Sequence, residues 1–207
     1  INISDIKIES RELEWAIACG APTLVLLPAA VWTVNDGVLS PSHPHFDPFW
    51  SRVNEAGITV VVHAADSGYS TQGYVNDGFT SSGLGGAMAP NIKHFNIERA
   101  AYDFLATLCF ERLFERFPNV RIASIENGAE FLPDLFRKLG QSRDRLAVTG
   151  YYKEDPADMF REHVWINPFW EDDVYEVEAL MGADRVIFGS DWPHIEGMPT
   201  PLDYLAE

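Results

Sequence analysis

Apolar positions recur at helical spacing and then in short continuous runs, and the two patterns alternate along the chain. Leu13, Ala16, Ile17 and Cys19 follow Ser10, a helix-capping residue type, and stop at Gly20, which predicts a helix. The run Thr23-Leu24-Val25-Leu26-Leu27-Pro28 then reads as a buried strand. A turn-rich stretch from Asn35 to Pro44 leads to Asp47-Pro48, a cap followed by a proline suited to the first helical position. Phe49, Val53 and Ala56 mark the inner face of that helix, and Gly57 ends it. Ile58-Thr59-Val60-Val61-Val62-His63 is nearly all apolar and β-branched, as expected of a strand covered on both faces. Ala64 to Lys93 is rich in Gly, Ser and Asn and longer than an ordinary connection, so residues 64–95 are expected to form an active-site lid. Ala101, Phe104, Leu105, Leu108 and Phe117 predict one long helix from Ile97 to Phe117, stopped by Pro118. Strands are predicted over Val120–Glu126, His163–Asn167 and Arg185–Gly189, with helices over Glu130–Leu139 and Asp173–Met181. Parallel strands need covered crossovers, so strands separated by helices predict a parallel β/α sheet, open or part of a barrel.

Composition narrows the class. The 207 residues suit one domain, 1–207, and 46% hydrophobic content excludes a disordered acidic tail. A net charge of −16 repels phosphate backbones and anionic membrane surfaces, so neither nucleic acid nor a membrane is an expected partner. Cys19 and Cys109 form no paired motif, and their apolar neighbours suit buried thiols in a reduced, cytoplasmic protein. No secretory signal and no apolar run long enough to span a bilayer is expected.

His63, Glu126 and Asp191 fall at the carboxyl ends of predicted strands, where β/α folds gather functional groups from distant parts of the chain. Imidazole nitrogen and carboxylate oxygen suit a divalent metal, zinc above all, with His63 and Asp191 as ligands. Each has a plainer reading: a backbone-bonded histidine, a salt bridge or a helix cap. Gly189-Ser190-Asp191-Trp192-Pro193-His194 is dense in site chemistry, with Asp191, Glu126 and His194 as candidate catalytic groups. Asp66, Tyr69, Asn127 and Trp192 are candidate substrate contacts, although Asn127-Gly128 also reads as a simple turn and Trp192 as packing. His43-Pro44-His45 precedes a helix instead of ending a strand and reads as a restricted surface loop.

With these residues the chain resembles the amidohydrolase-related, metal-dependent TIM-barrel family that includes hydrolases and aminocarboxymuconate and hydroxybenzoate decarboxylase-like enzymes. The resemblance covers most of the chain. It rests on His45-Phe46-Asp47-Pro48-Phe49-Trp50, Val62-His63, Phe114-Glu115-Arg116-Phe117-Pro118-Asn119-Val120-Arg121, Ser124-Ile125-Glu126-Asn127-Gly128-Ala129-Glu130 and Phe188-Gly189-Ser190-Asp191-Trp192-Pro193-His194. It implies an α/β TIM-barrel fold covering roughly strands four to eight and lacking the N-terminal part. His63 then resembles the strand-five metal ligand and Asp191 the strand-eight aspartate. Glu126 stands where related decarboxylases commonly carry a histidine, and the two-histidine motif after strand one has no match. The implied activity is metal-dependent hydrolysis of an amide, ester or lactone in a small organic substrate. The alternatives are non-oxidative decarboxylation of an unsaturated or aromatic carboxylate, and a noncatalytic binding or structural homologue. An opening left by incomplete barrel coverage favours homo-oligomer formation.

Overall fold

The computed structural model describes residues 3, 6–33, 36–64, 92–194 and 197–202, with the backbone alone described at 6–9 and 92–98. Most of the expected lid, including Asp66 and Tyr69, lies outside the described residues. The described chain runs α1 (Ile6–Ala18), β1 (Thr23–Leu26), β2 (Val31–Thr33), β3 (Gly37–Leu39), α2 (Asp47–Ala56), β4 (Thr59–His63), α3 (Ile92–Phe110) and α4 (Leu113–Arg116). It continues through β5 (Arg121–Ile125), α5 (Leu132–Leu146), α6 (Pro156–His163), β6 (Val164–Ile166) and α7 (Val174–Met181).

The main sheet has the order β1-β4-β5-β6, with each pair parallel. Its register pairs Leu26 with Val62 and His63 with Ile125, which brings successive strand ends level with one another. Leu24, Leu26, Val60, Val62, Ile122, Val164 and Ile166 are buried under the helices. On the other face Val25 is half exposed and Val61 and Ile125 only partly buried. The expectation that Ile58–His63 is covered on both faces is therefore corrected. Alternation along β4 buries one side and leaves His63 accessible on the other.

Several local expectations change for identifiable reasons. Within the stretch expected to be turns, Gly37–Leu39 pairs antiparallel with Val31–Thr33. Asp47 sits inside the first turn of α2 while Phe46 takes the cap position, and the Asp47 carboxylate pairs with Arg116 instead. The predicted Ile97–Phe117 helix breaks at Arg112, whose φ of 57° is left-handed. Its guanidinium donates to the Tyr151 carbonyl at 2.6 Å and lies over the Tyr151 ring, so a distant contact accompanies the departure from local helical preference. Helix α6 was not expected, although Asp155 caps it through the Ala157 N–H at 2.8 Å and Pro156 follows that cap. Predicted strand Arg185–Gly189 reduces to one parallel bridge, Ile166 to Val186, continued by a 2.8 Å bond from Ile187 N–H to the Ile166 carbonyl.

The cysteines also divide. Cys109 is buried, and desolvation pushes its thiol well above the usual range; Cys19, in the turn after α1, is exposed, contrary to the buried-thiol expectation. Because the thiolate is the reactive form, iodoacetamide should label Cys19 in the folded protein and reach Cys109 only after unfolding. Peptide mass spectrometry checks this, and native labelling of Cys109 would contradict it.

Candidate metal and acid-base site

Three strand ends build the site. His63 closes β4, Glu126 follows β5, and Asp191 follows the segment bridged to β6. Glu126 and Asp191 take left-handed φ values of 59° and 53°, a region costing non-glycine residues roughly 1–2 kcal/mol. Both site carboxylates are thus carried on strained backbone, a feature that clusters at functional sites.

His63 Nε2 lies 2.8 Å from Glu126 Oε2, while its Nδ1 lies 2.8 Å from the Ala64 carbonyl oxygen. A carbonyl only accepts, so Nδ1 carries the hydrogen of that bond. Nε2 and Oε2 are then two acceptors face to face, and they need a shared proton or a cation. The second Glu126 oxygen, Oε1, is 3.3 Å from His194 Nδ1, which is also 2.9 Å from Asp191 Oδ1. Glu126 is the least accessible of the four, with 17% of its side chain exposed against 30% for Asp191, 45% for His63 and 54% for His194. It forms the floor, and the imidazoles stand over it.

Donor atoms of Glu126, Asp191 and His194 lie within 4.8 Å of one another. Two carboxylates and one imidazole are a donor set that fits a divalent cation. His63 stands outside this trio and reaches it through Glu126. The structure thus brings together His63, Glu126, Asp191 and His194, all anticipated from strand ends and the Asp191–His194 segment.

Other candidates are placed differently. Asn127 is fully buried beneath the site; its amide nitrogen lies 2.8 Å from the Val62 carbonyl and 3.0 Å from the Ile125 carbonyl, to which its two hydrogens donate, with Ser124 Oγ at 3.1 Å. It ties the backbone just before His63 to that just before Glu126. Trp192 is 65% exposed beside Asp191, and its main-chain N–H donates to Ser190 Oγ at 3.3 Å. His43 caps the turn at Pro44 by accepting from the His45 N–H, and His45 faces Asp36 at 3.4 Å, away from any metal-like cluster among the described residues. Asn167 was missed as a site residue. Its signal was present: an Asn directly after β6, at a strand end equivalent to those of His63 and Glu126.

No helix among the described residues is long and apolar enough to cross a membrane. No curated protein matches the chain. Among solved structures, an amidohydrolase from Mycobacterium avium subsp. paratuberculosis K-10 is 32% identical, with a TM-score of 0.86 over 100% of this chain and 50% of its own. A dihydroxybenzoic acid decarboxylase from Polaromonas sp. JS666, solved with manganese and the inhibitor 2-nitroresorcinol, is 19% identical with a TM-score of 0.72. That alignment covers 99% of this chain and 60% of the decarboxylase. A 5-carboxyvanillate decarboxylase from Sphingomonas paucimobilis is 19% identical, with a TM-score of 0.68 over 95% of this chain and 55% of its own. The chain therefore spans between half and three fifths of these neighbours, and its parallel sheet with flanking helices is a part of their TIM-barrel fold. The amidohydrolase family profile matches residues 25–206, and on that match the chain belongs to the amidohydrolase family.

Proposed function

We propose that this chain supplies the strand-end carboxylates and imidazoles of a divalent-metal-dependent enzyme that removes carbon dioxide from a small aromatic carboxylate. The observation that carries the reading is the 2.8 Å contact between His63 Nε2 and Glu126 Oε2, a place built to hold a proton. Non-oxidative decarboxylation needs one: as the bond to the carboxyl carbon breaks and carbon dioxide leaves, the electron pair stays on the ring carbon and takes up a proton. The decarboxylase neighbours, one of them with manganese bound, support the same chemistry.

Glu126, Asp191 and His194 would hold the ion, and two carboxylates to one imidazole lean the choice toward manganese over zinc. When bound, such a cation supplies positive charge that orients an anionic substrate in an otherwise acidic protein. His63 and Glu126 keep the proton at the floor of the site. His194, the more exposed imidazole, would meet the substrate, and the exposed Trp192 beside Asp191 would offer its ring for aromatic stacking. Asp66 and Tyr69 remain proposed substrate contacts, and a cytoplasmic setting belongs to the same proposal.

Hydrolysis of an amide, ester or lactone is the second reading, favoured by one observation. The Asp191 carboxylate is partly exposed beside Glu126 and is placed to take a proton from water. The two separate in one assay. Hydroxybenzoates labelled with ¹³C in the carboxyl group, incubated with the intact protein, Mn²⁺ and D₂O, should release ¹³CO₂ and gain one deuterium at the vacated ring carbon. Turnover of ester or lactone substrates without carbon dioxide release would replace the first reading with the second. Binding without turnover of either class would favour a noncatalytic homologue.

A further inference from the structure

We infer that Asn167 is a positioning residue that sets the spacing between Glu126 and the Asp191–His194 pair. Asn167 is 9% exposed and lies between the two backbone segments that carry those groups. Its Nδ2 donates to the Ile187 carbonyl at 3.2 Å and to the Pro168 carbonyl at 3.1 Å. Its Oδ1 accepts from the Glu126 N–H at 3.4 Å, the longest of the three contacts. One planar amide therefore touches the left-handed residue after β5 and the segment that runs through Gly189 to Asp191.

The side chain is dispensable for the sheet itself. The Asn167 main-chain N–H donates to the Ser124 carbonyl at 2.9 Å and continues the β5–β6 ladder whatever the side chain is. The side chain acts instead on the two segments leaving the sheet. Gly189 is fitted to it: a Cβ there would lie 2.9 Å from Asn167 Nδ2 and 3.0 Å from Oδ1. Any side chain at 189 forces the amide to move. Because donors of the metal-compatible trio come from both segments, displacement of Asn167 changes their separation without touching a donor atom.

The proposal rests on the reading of Glu126, Asp191 and His194 as a metal site, so its test has an arm with metal and an arm without. Asn167→Ala removes the amide, Gly189→Ala pushes it aside, and Ser42→Ala controls for lost stability. Ser42 is fully buried, with its hydroxyl oxygen 2.7 Å from Glu111 Oε2, just after α3, and 3.0 Å from the Thr107 carbonyl on α3, away from the strand ends. Partners that orient metal ligands typically contribute roughly ten- to a hundredfold to metal affinity. Both Asn167→Ala and Gly189→Ala should therefore weaken Mn²⁺ binding by at least about tenfold and alter the Mn²⁺ electron paramagnetic resonance spectrum, while Ser42→Ala leaves both unchanged. In the metal-free protein, nitrogen NMR of the His63 and His194 rings should shift in the two site variants and not in Ser42→Ala. If unaltered protein takes up no Mn²⁺, the metal reading fails, and the ring spectra still decide the positioning role. Ring spectra and Mn²⁺ binding that match the unaltered protein in both folded site variants would overturn it. An equal effect of Ser42→Ala would likewise reduce Asn167 to a general stability role.

Discussion

Replacing Glu126 with Gln is expected to lower turnover by at least about a hundredfold while leaving the fold intact, because positioned acid-base groups typically contribute factors of that size or more. The substitution keeps shape and volume but removes the charge facing His63 at 2.8 Å and His194 at 3.3 Å. An amide presents either a fixed N–H or a neutral carbonyl to His63 Nε2, so the proton held between the two groups can no longer move. One anionic donor of the metal-compatible trio is lost as well. Mn²⁺ affinity should fall together with kcat, whereas Asp191→Asn should depress Mn²⁺ binding and leave the His63 contact in place. Steady-state kinetics at saturating Mn²⁺, with metal titration of each variant, check both statements. Full activity in Glu126→Gln would remove Glu126 from the chemistry.

The second large effect is on stability. Trp50 on α2 is fully buried, stacks edge-to-face on Phe49 with ring centroids 5.0 Å apart, and donates its indole N–H to the Pro41 carbonyl at 2.7 Å. Trp50→Ala should cost about 3–5 kcal/mol, the range for deleting a large aromatic from a core. The stranded Pro41 carbonyl adds to the loss unless water reaches it. Trp15, 71% exposed on α1, serves as the control, and Trp15→Ala should shift stability by no more than about 0.5 kcal/mol. Urea unfolding followed by circular dichroism separates the two. Similar midpoints for both variants would mean that the α2 side of the core does not govern unfolding.

Hydrophobic spacing located most of the elements because burial of one face leaves a local, periodic record. Val60 and Val62 are fully buried toward the helices, and β4 matches the predicted run to within a residue at its start. The same signal located β1, β5 and β6, and the ends of β4, β5 and β6 are the ones that carry His63, Glu126 and Asn167. Asp155-Pro156 is as good a helix start as Asp47-Pro48, so the start of α6 is legible in the sequence. The break at Arg112 was not legible, since its partner carbonyl belongs to Tyr151, 39 positions along the chain.

Sequence alone thus determined the alternation of strand and helix, the acidic character, the family resemblance and the residue types gathered at strand ends. Tertiary structure decided which of them meet. Glu126 pairs with His63 and His194 only because parallel register places Ile125 beside His63 and the bridge at Val186 carries Asp191 back to the same edge. It also decided that Asn127 lies beneath the site and that Asn167 lies between its two carboxylate-bearing segments. Those outcomes depend on contacts between residues 20 or more positions apart, which local periodicity does not encode, because a strand's hydrophobic pattern specifies the face it buries and not the neighbour it pairs with.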